Sequence, residues 1–123
     1  MITIELPWPD KRLYPNIKVH WAVESEAAKE ARHIGKINAL TSPTAPPNLM
    51  LFRDQKITYT FHPPTKHKRD DDNFMASMKH YRDGVADAYN IDDSRFHTQP
   101  AEWGEVIKGG KVVLRLEEMD EDN

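Results

Sequence analysis

The 123-residue chain contains no cysteine, which removes disulfides, thiol nucleophiles and zinc–thiolate centres from consideration. It also lacks any run near the roughly 20 apolar residues that a membrane span needs. Its first residues, MITIELPWPDKR, have neither the basic start nor the apolar stretch of a secretory signal. No internal repeat or low-complexity tract interrupts it. With those classes set aside, the expectation is a cytoplasmic protein with no membrane partner. Its length is that of one domain able to bury a real core, and 38% hydrophobic with 30% charged residues fits a globular fold.

A basic surface is also missing from the bulk figures, since the formal net charge is −3. Nucleic-acid binders usually carry a basic face. Five acids, Glu117, Glu118, Asp120, Glu121 and Asp122, crowd the last seven residues, leaving residues 1–116 with 17 basic against 15 acidic groups, a net +2. The stretch 117–123 reads as a solvated acidic tail after a domain spanning 1–116. Net charge therefore excludes no partner.

What is present is a sequence of patterned segments. ITIEL alternates as a strand and is stopped by Pro7 and Pro9. From about Ala22 to Leu40, Ala27, Ala31, Ile34 and Ala39 or Leu40 recur at helical spacing. Ile57, Tyr59 and Phe61 alternate in a second strand ended by Pro63-Pro64. Residues 73–89 predict a helix with Phe74, Met78, Tyr81, Val85 and Tyr89 on its buried stripe. Two further strands are expected over 96–107 and 111–117, with Gly109-Gly110 between them as a tight hairpin turn. The order β-α-β-α-β-β predicts an α+β domain with a small mixed β-sheet and two main helices.

The unusual stretch is KRDDDNFMASMK, Lys68 to Lys79. Adjacent like charges repel by roughly 3–4 kcal/mol per pair at an effective dielectric near 20, so Asp70, Asp71 and Asp72 need an offset. One is the helix end, where Asp71 or Asp72 would cap free N–H groups and meet the positive dipole. The other is a hard cation such as Mg²⁺, which prefers carboxylate oxygens. At ~100° per residue Lys79 and Asp83 return to the face of Asp72, within about 20° on either side. Asp92 and Asp93 follow just past the helix; alone, such a pair reads as a turn and a cap. No EF-hand fits, because neither its turn glycine nor its closing glutamate is in place. The six histidines show no tight metal-ligand spacing, and Trp8 and Trp21 are expected to pack rather than to stack on bases.

Taken in order, ELPWP, RDDDN before a helix, K…DGVADA within it and IDD after it resemble the motifs of RusA-type Holliday-junction resolvases. The likeness runs from about residue 4 to 116. It implies a RusA-like, homodimeric, Mg²⁺-dependent endonuclease that cuts opposed strands of a four-way DNA junction, in recombination and repair. It implies metal carboxylates at Asp70, Asp72 and Asp93, and a phosphate-facing lysine at Lys79, with Asp83 and Asp92 as further candidates. Lys79 stands seven residues after Asp72, later in the helix than in the family's best-known pattern by about 4.5 Å along the axis. Lys11, Arg12, Lys18, Lys66, Lys68 and Arg69 would grip flanking phosphates. Two rival expectations remain: a non-catalytic nucleic-acid-binding protein of the same fold, and a metal nuclease acting on other branched DNA or on RNA.

Overall fold

Three rows of apolar side chains, each crossing three strands, organise the molecule. In the computed structural model, which describes residues 1–66 and 71–120 but not the side chains of Asp71 and Asp72, β1 (Ile2–Pro7), β2 (Gln55–His62) and β5 (Lys111–Glu118) form the body of a mixed sheet. Its order is β1-β5-β2, with β5 antiparallel to both neighbours. The register aligns Ile2, Leu116 and Ile57, then Ile4, Leu114 and Tyr59, then Leu6, Val112 and Phe61. All nine are buried. Strand alternation sends Thr3, Glu5, Thr58, Thr60 and Arg115 to the opposite, wetter face.

The helices cover the apolar face. α1 (Trp21–Leu40) presents Ala27, Ala31, Gly35 and Ala39 at four-residue intervals, all buried. Gly35 takes the place that spacing assigned to Ile34, which is half-buried. The small residues let α3 (Lys79–Ala88) cross at backbone distance. A Cβ on Gly84 would touch Arg32 and Lys36 main-chain atoms, and one on Gly35 would touch the Tyr81 main chain. The expected stripe of Phe74, Met78, Tyr81, Val85 and Tyr89 is buried throughout.

The helix expected over 73–89 is two helices, α2 (Asp71–Ser77) and α3. The buried Ser77 hydroxyl donates to the Phe74 carbonyl at 2.7 Å, and Met78 N–H bonds back to Met75 O at 3.2 Å. This local side-chain bond and the tighter turn replace one α-turn. Asp71 and Asp72 thus lie inside the first turn of α2 rather than at its N-cap, and residue 70 lies outside the described residues.

The strand expected over 96–107 is also two pieces, β3 (Phe96–Thr98) and β4 (Glu102–Trp103). Pro100, with no N–H to give a ladder, lies between them. Both pair with β2, in parallel, and not with β5. Gly109 and Gly110 do adopt positive φ, 82° and 75°, but they turn a coil into β5 and close no hairpin. β5 runs through Glu118, so Glu117 and Glu118, expected in the tail, pair with Lys56 and Gln55. No helix among the described residues is long and apolar enough to cross a membrane.

Candidate functional site

The end of α3 brings the second acidic pair back to the helix. Asn90 adopts a left-handed φ of 54°, and Ile91 N–H reaches back to Ala86 O at 3.1 Å while Asn90 N–H reaches Asp87 O. This is the Schellman arrangement, in which asparagine supplies the turn that glycine more often does. The chain folds over the last turn of α3 into a 3-10 turn at Asp93–Arg95.

The two aspartates then part in role. Asp92 accepts the Ser94 N–H at 2.9 Å and caps the 3-10 turn, which holds its carboxyl below the usual range. Asp93 is half-buried and lies between two depressions. One, of about 400 Å³, is lined by Asp93 with Lys79, Arg82, Tyr59 and Thr98. The other, of about 200 Å³, sets Asp93 beside Asp83, Asp87 and Arg32.

Asp83 reports the local field. Burial pushes its carboxyl upward, and the like charge of Asp93 adds to the shift; Arg32, His80 and Lys79 pull the other way. Its side chain is 19% exposed, and the His80 ring Nδ1 lies 3.9 Å from its Oδ2. Asp87, by contrast, is paired with Arg32 (Nε–Oδ2 2.6 Å), which lowers it.

Lys79 and Ala76 also line a third depression of about 620 Å³, running past His80, Tyr14, Arg12 and Lys18. Lys79 is exposed at the ridge between this groove and the Asp93 pocket. Lys18 is exposed along it. Arg12 is already engaged, bonded to Asp10 at 2.7 Å and to Glu30 at 2.7 Å. Lys11 is exposed in the 3-10 turn Lys11–Leu13, and Lys66 is exposed after β2. Asp70, Lys68 and Arg69 lie outside the described residues, as does the side chain of Asp72.

The fold thus brings together Lys79, Asp83 and Asp93, and turns Asp92 to its own cap. The tryptophans divide as well. Trp8 packs, 5.0 Å from the Phe74 ring and 6.1 Å from Phe61. Trp21, at the first position of α1, is 75% exposed, contrary to expectation. Five polar residues of the site were missed from sequence: Arg82, Tyr59, Thr98, Arg32 and Asp87. A signal existed for Arg82, an arginine four residues after Met78 and three before Val85, at the edge of the buried stripe.

Among the described residues no three His, Asp or Glu side chains converge closely enough to hold a metal ion by themselves. Asp93 and Asp83 nonetheless form an acidic pair, facing depressions, whose excess negative charge a hard divalent cation would relieve. Two carboxylates alone make at most a partial donor set for such an ion.

No family model matches the chain. Over 116 residues, 94% of this chain and 76% of the relative, it is 40% identical to an uncharacterized protein of Xylella fastidiosa (strain Temecula1).

Proposed function

The chain belongs to the family of that Xylella fastidiosa protein, and for this member we propose a Mg²⁺-dependent, structure-selective endodeoxyribonuclease that resolves four-way DNA junctions as a homodimer. The observation that supports it is the return of Asp93 to α3 against Lys79 and Asp83, at a depression that meets the groove past Lys18 across the Lys79 ridge. That placement and the order of the motifs along the chain point the same way.

In this reading Asp93, with Asp70 and Asp72, would hold Mg²⁺. The ion supplies Lewis-acid polarisation of the scissile phosphate and activation of water for in-line attack. Lys79, exposed on the ridge, places its ammonium where charge grows on the phosphate. Lys18 and Lys66 hold flanking phosphates without regard to sequence, so binding falls steeply as salt rises. Asp83 keeps the local field negative when no substrate is present. The products are a 5′-phosphate and a 3′-hydroxyl, as the resemblance implies, and two sites related by a two-fold axis would meet two strands related by the junction's own symmetry.

The test compares Asp93→Asn with Asp92→Asn on a four-way junction, a flap and a linear duplex. Asparagine caps as well as aspartate, so Asp92→Asn should cut within about threefold of the parent. Asp93→Asn should lose about 100-fold or more in Mg²⁺-dependent cleavage while still binding the junction. Equal rates for the two variants would refute the assignment. A second reading, a non-catalytic nucleic-acid binder of the same fold, rests on aspartates that serve the fold: Asp92 caps its turn and Asp87 pairs with Arg32. It requires that a chelator leave junction binding unchanged and that no strand be cut at any Mg²⁺ concentration.

A further inference from the structure

Among the described residues Arg82 is the one cation whose bonds tie α3 to the segment that carries Asp93. Its Nη2 donates to the carbonyl of Asp93 at 3.0 Å and to that of Phe96 at 2.8 Å, and its Nη1 donates to Thr98 Oγ1 at 2.8 Å. Its guanidinium carbon lies 5.8 Å from the centre of the Phe96 ring. Three acceptors within six residues are a large share of what a three-residue turn and a three-residue edge strand can recruit. Further side-chain ties of this segment, Arg95 and His97 to Asp54 and Arg95 to the Phe52 carbonyl, lead to the end of the sheet and away from α3.

The clamp works against a repulsion. Asp83 and Asp93 line one depression as two like charges, which repel across it. Arg82 is adjacent to Asp83 in the chain and holds the 93–95 turn by main-chain carbonyls, which cannot swing away as a side chain can. Nor is the arginine there for its own comfort. Its Nε is buried with no hydrogen-bond partner among the described residues, a cost that an apolar side chain of similar reach would not incur.

We propose that Arg82 is the positioning residue of the site: its guanidinium sets where the Asp93 carboxylate stands relative to Lys79 and Asp83. This rests on the nuclease reading, because it assigns Asp93 a catalytic use. Lysine cannot replace it fully, since one ammonium on a flexible stem lacks the planar fork that serves Asp93, Phe96 and Thr98 at once.

The experiment uses Arg82→Met and Arg82→Lys in the full chain, with Thr98→Val as a milder variant should Arg82→Met fail to fold. Three quantities are read: amide exchange, Mn²⁺ binding by calorimetry without DNA, and kcat with KM on a four-way junction. In Arg82→Met the Arg95 and Gln99 amides, which bond to Asp92 O and Ile57 O, should exchange at least about tenfold faster, while Leu114 in the central strand is unchanged. Mn²⁺ affinity should fall by about tenfold, and kcat should fall with KM within about threefold. Arg82→Lys should recover part of each. A merely structural arginine would lower thermal stability and leave Mn²⁺ affinity and kcat intact below the melting range; that result overturns the proposal, as does unchanged exchange at Arg95 and Gln99. A parent protein that binds no Mn²⁺ and cuts no junction sinks the nuclease reading itself, and with it the catalytic meaning of the clamp. The two failures are therefore distinct.

Discussion

Gly84→Ala should be among the most damaging single-methyl changes available in this chain. A Cβ at Gly84 would lie 2.7 Å from Lys36 N and 2.9 Å from Arg32 C, with Arg32 O nearer still, against an ordinary contact of 3.4–4 Å. Every one of those atoms is main chain of α1, so no side chain can swing aside. The helices must part by at least about 0.7 Å, the difference between 2.7 and 3.4 Å. That would loosen Ala31, Tyr81, Val85 and Ala88, all buried in the core. Overpacking of this kind costs about 3 kcal/mol at the upper end of its usual range. The better helix propensity of alanine returns about 1 kcal/mol. A net loss of about 2 kcal/mol is expected, or a fall in Tm of about 6–12 °C for a domain this size. Urea denaturation followed by far-UV circular dichroism measures it. Gly109→Ala is the control: nothing lies within 4 Å of its Cβ, and only its φ of 82° opposes a side chain, for about 1 kcal/mol. A Gly84→Ala protein within about 0.5 kcal/mol of the parent would refute the close crossing of α1 and α3, and with it the seat of the helix that bears Lys79 and Arg82.

Two aspartates on α3 should show opposite pH signatures. The Arg32 guanidinium holds Asp87 below its ordinary value of 3.8, so its stabilisation is complete above that value and disappears as pH falls through the lowered one. Asp87→Asn should therefore be less stable than the parent at pH 7, by about 0.5 kcal/mol for so exposed a pair, and equal to it near pH 2. Burial and the Asp93 charge hold Asp83 above 3.8; its penalty is absent below 3.8 and grows as pH rises through the raised value. Asp83→Asn should accordingly be more stable than the parent at pH 7 and no different below 3.8, with urea midpoints at three pH values as the check. Trp21→Ala should change stability by less than about 0.5 kcal/mol and remove the most solvent-exposed part of the tryptophan emission; a loss above 1.5 kcal/mol would mean that Trp21 is packed after all.

The apolar skeleton was legible because burial imposes a period. The alternation of Ile2, Ile4 and Leu6, and of Ile57, Tyr59 and Phe61, and the 3–4 spacing from Phe74 to Tyr89, each name a buried face. What escaped depends on partners distant in the chain or on a single local bond. No period announces that Ser77 will bond the Phe74 carbonyl and tighten the helix at Met78. The edge piece 96–103 carries strand-like residues either way; with β5 on one edge of β2 it takes the other, where it runs parallel. Gly35 and Gly84 look like weak helix formers until the two helices are crossed. At the site, proximity in sequence served for Lys79, Asp83 and Asp93, which share one helix and the turn after it. The reading of the acidic pair as a turn and a cap describes Asp92, which caps its own turn, whereas Arg82 was missed because its acceptors lie 11–16 residues away.

The place of β5 has a bearing on how the chain comes to be folded at all. Among the described residues β1 has one neighbour, β5, and its partners are synthesised about a hundred residues later. Throughout translation Ile2, Ile4 and Leu6 form a greasy ribbon with nothing to zip onto, and β2 waits with one flank open. Such distant pairing belongs to the slow class of folding topologies, and the interval is when chaperones or neighbouring nascent chains meet the open edges. A ribosome that stalls before Lys111 therefore releases no nearly finished domain, but one orphaned strand and one open sheet edge prone to pair on different molecules.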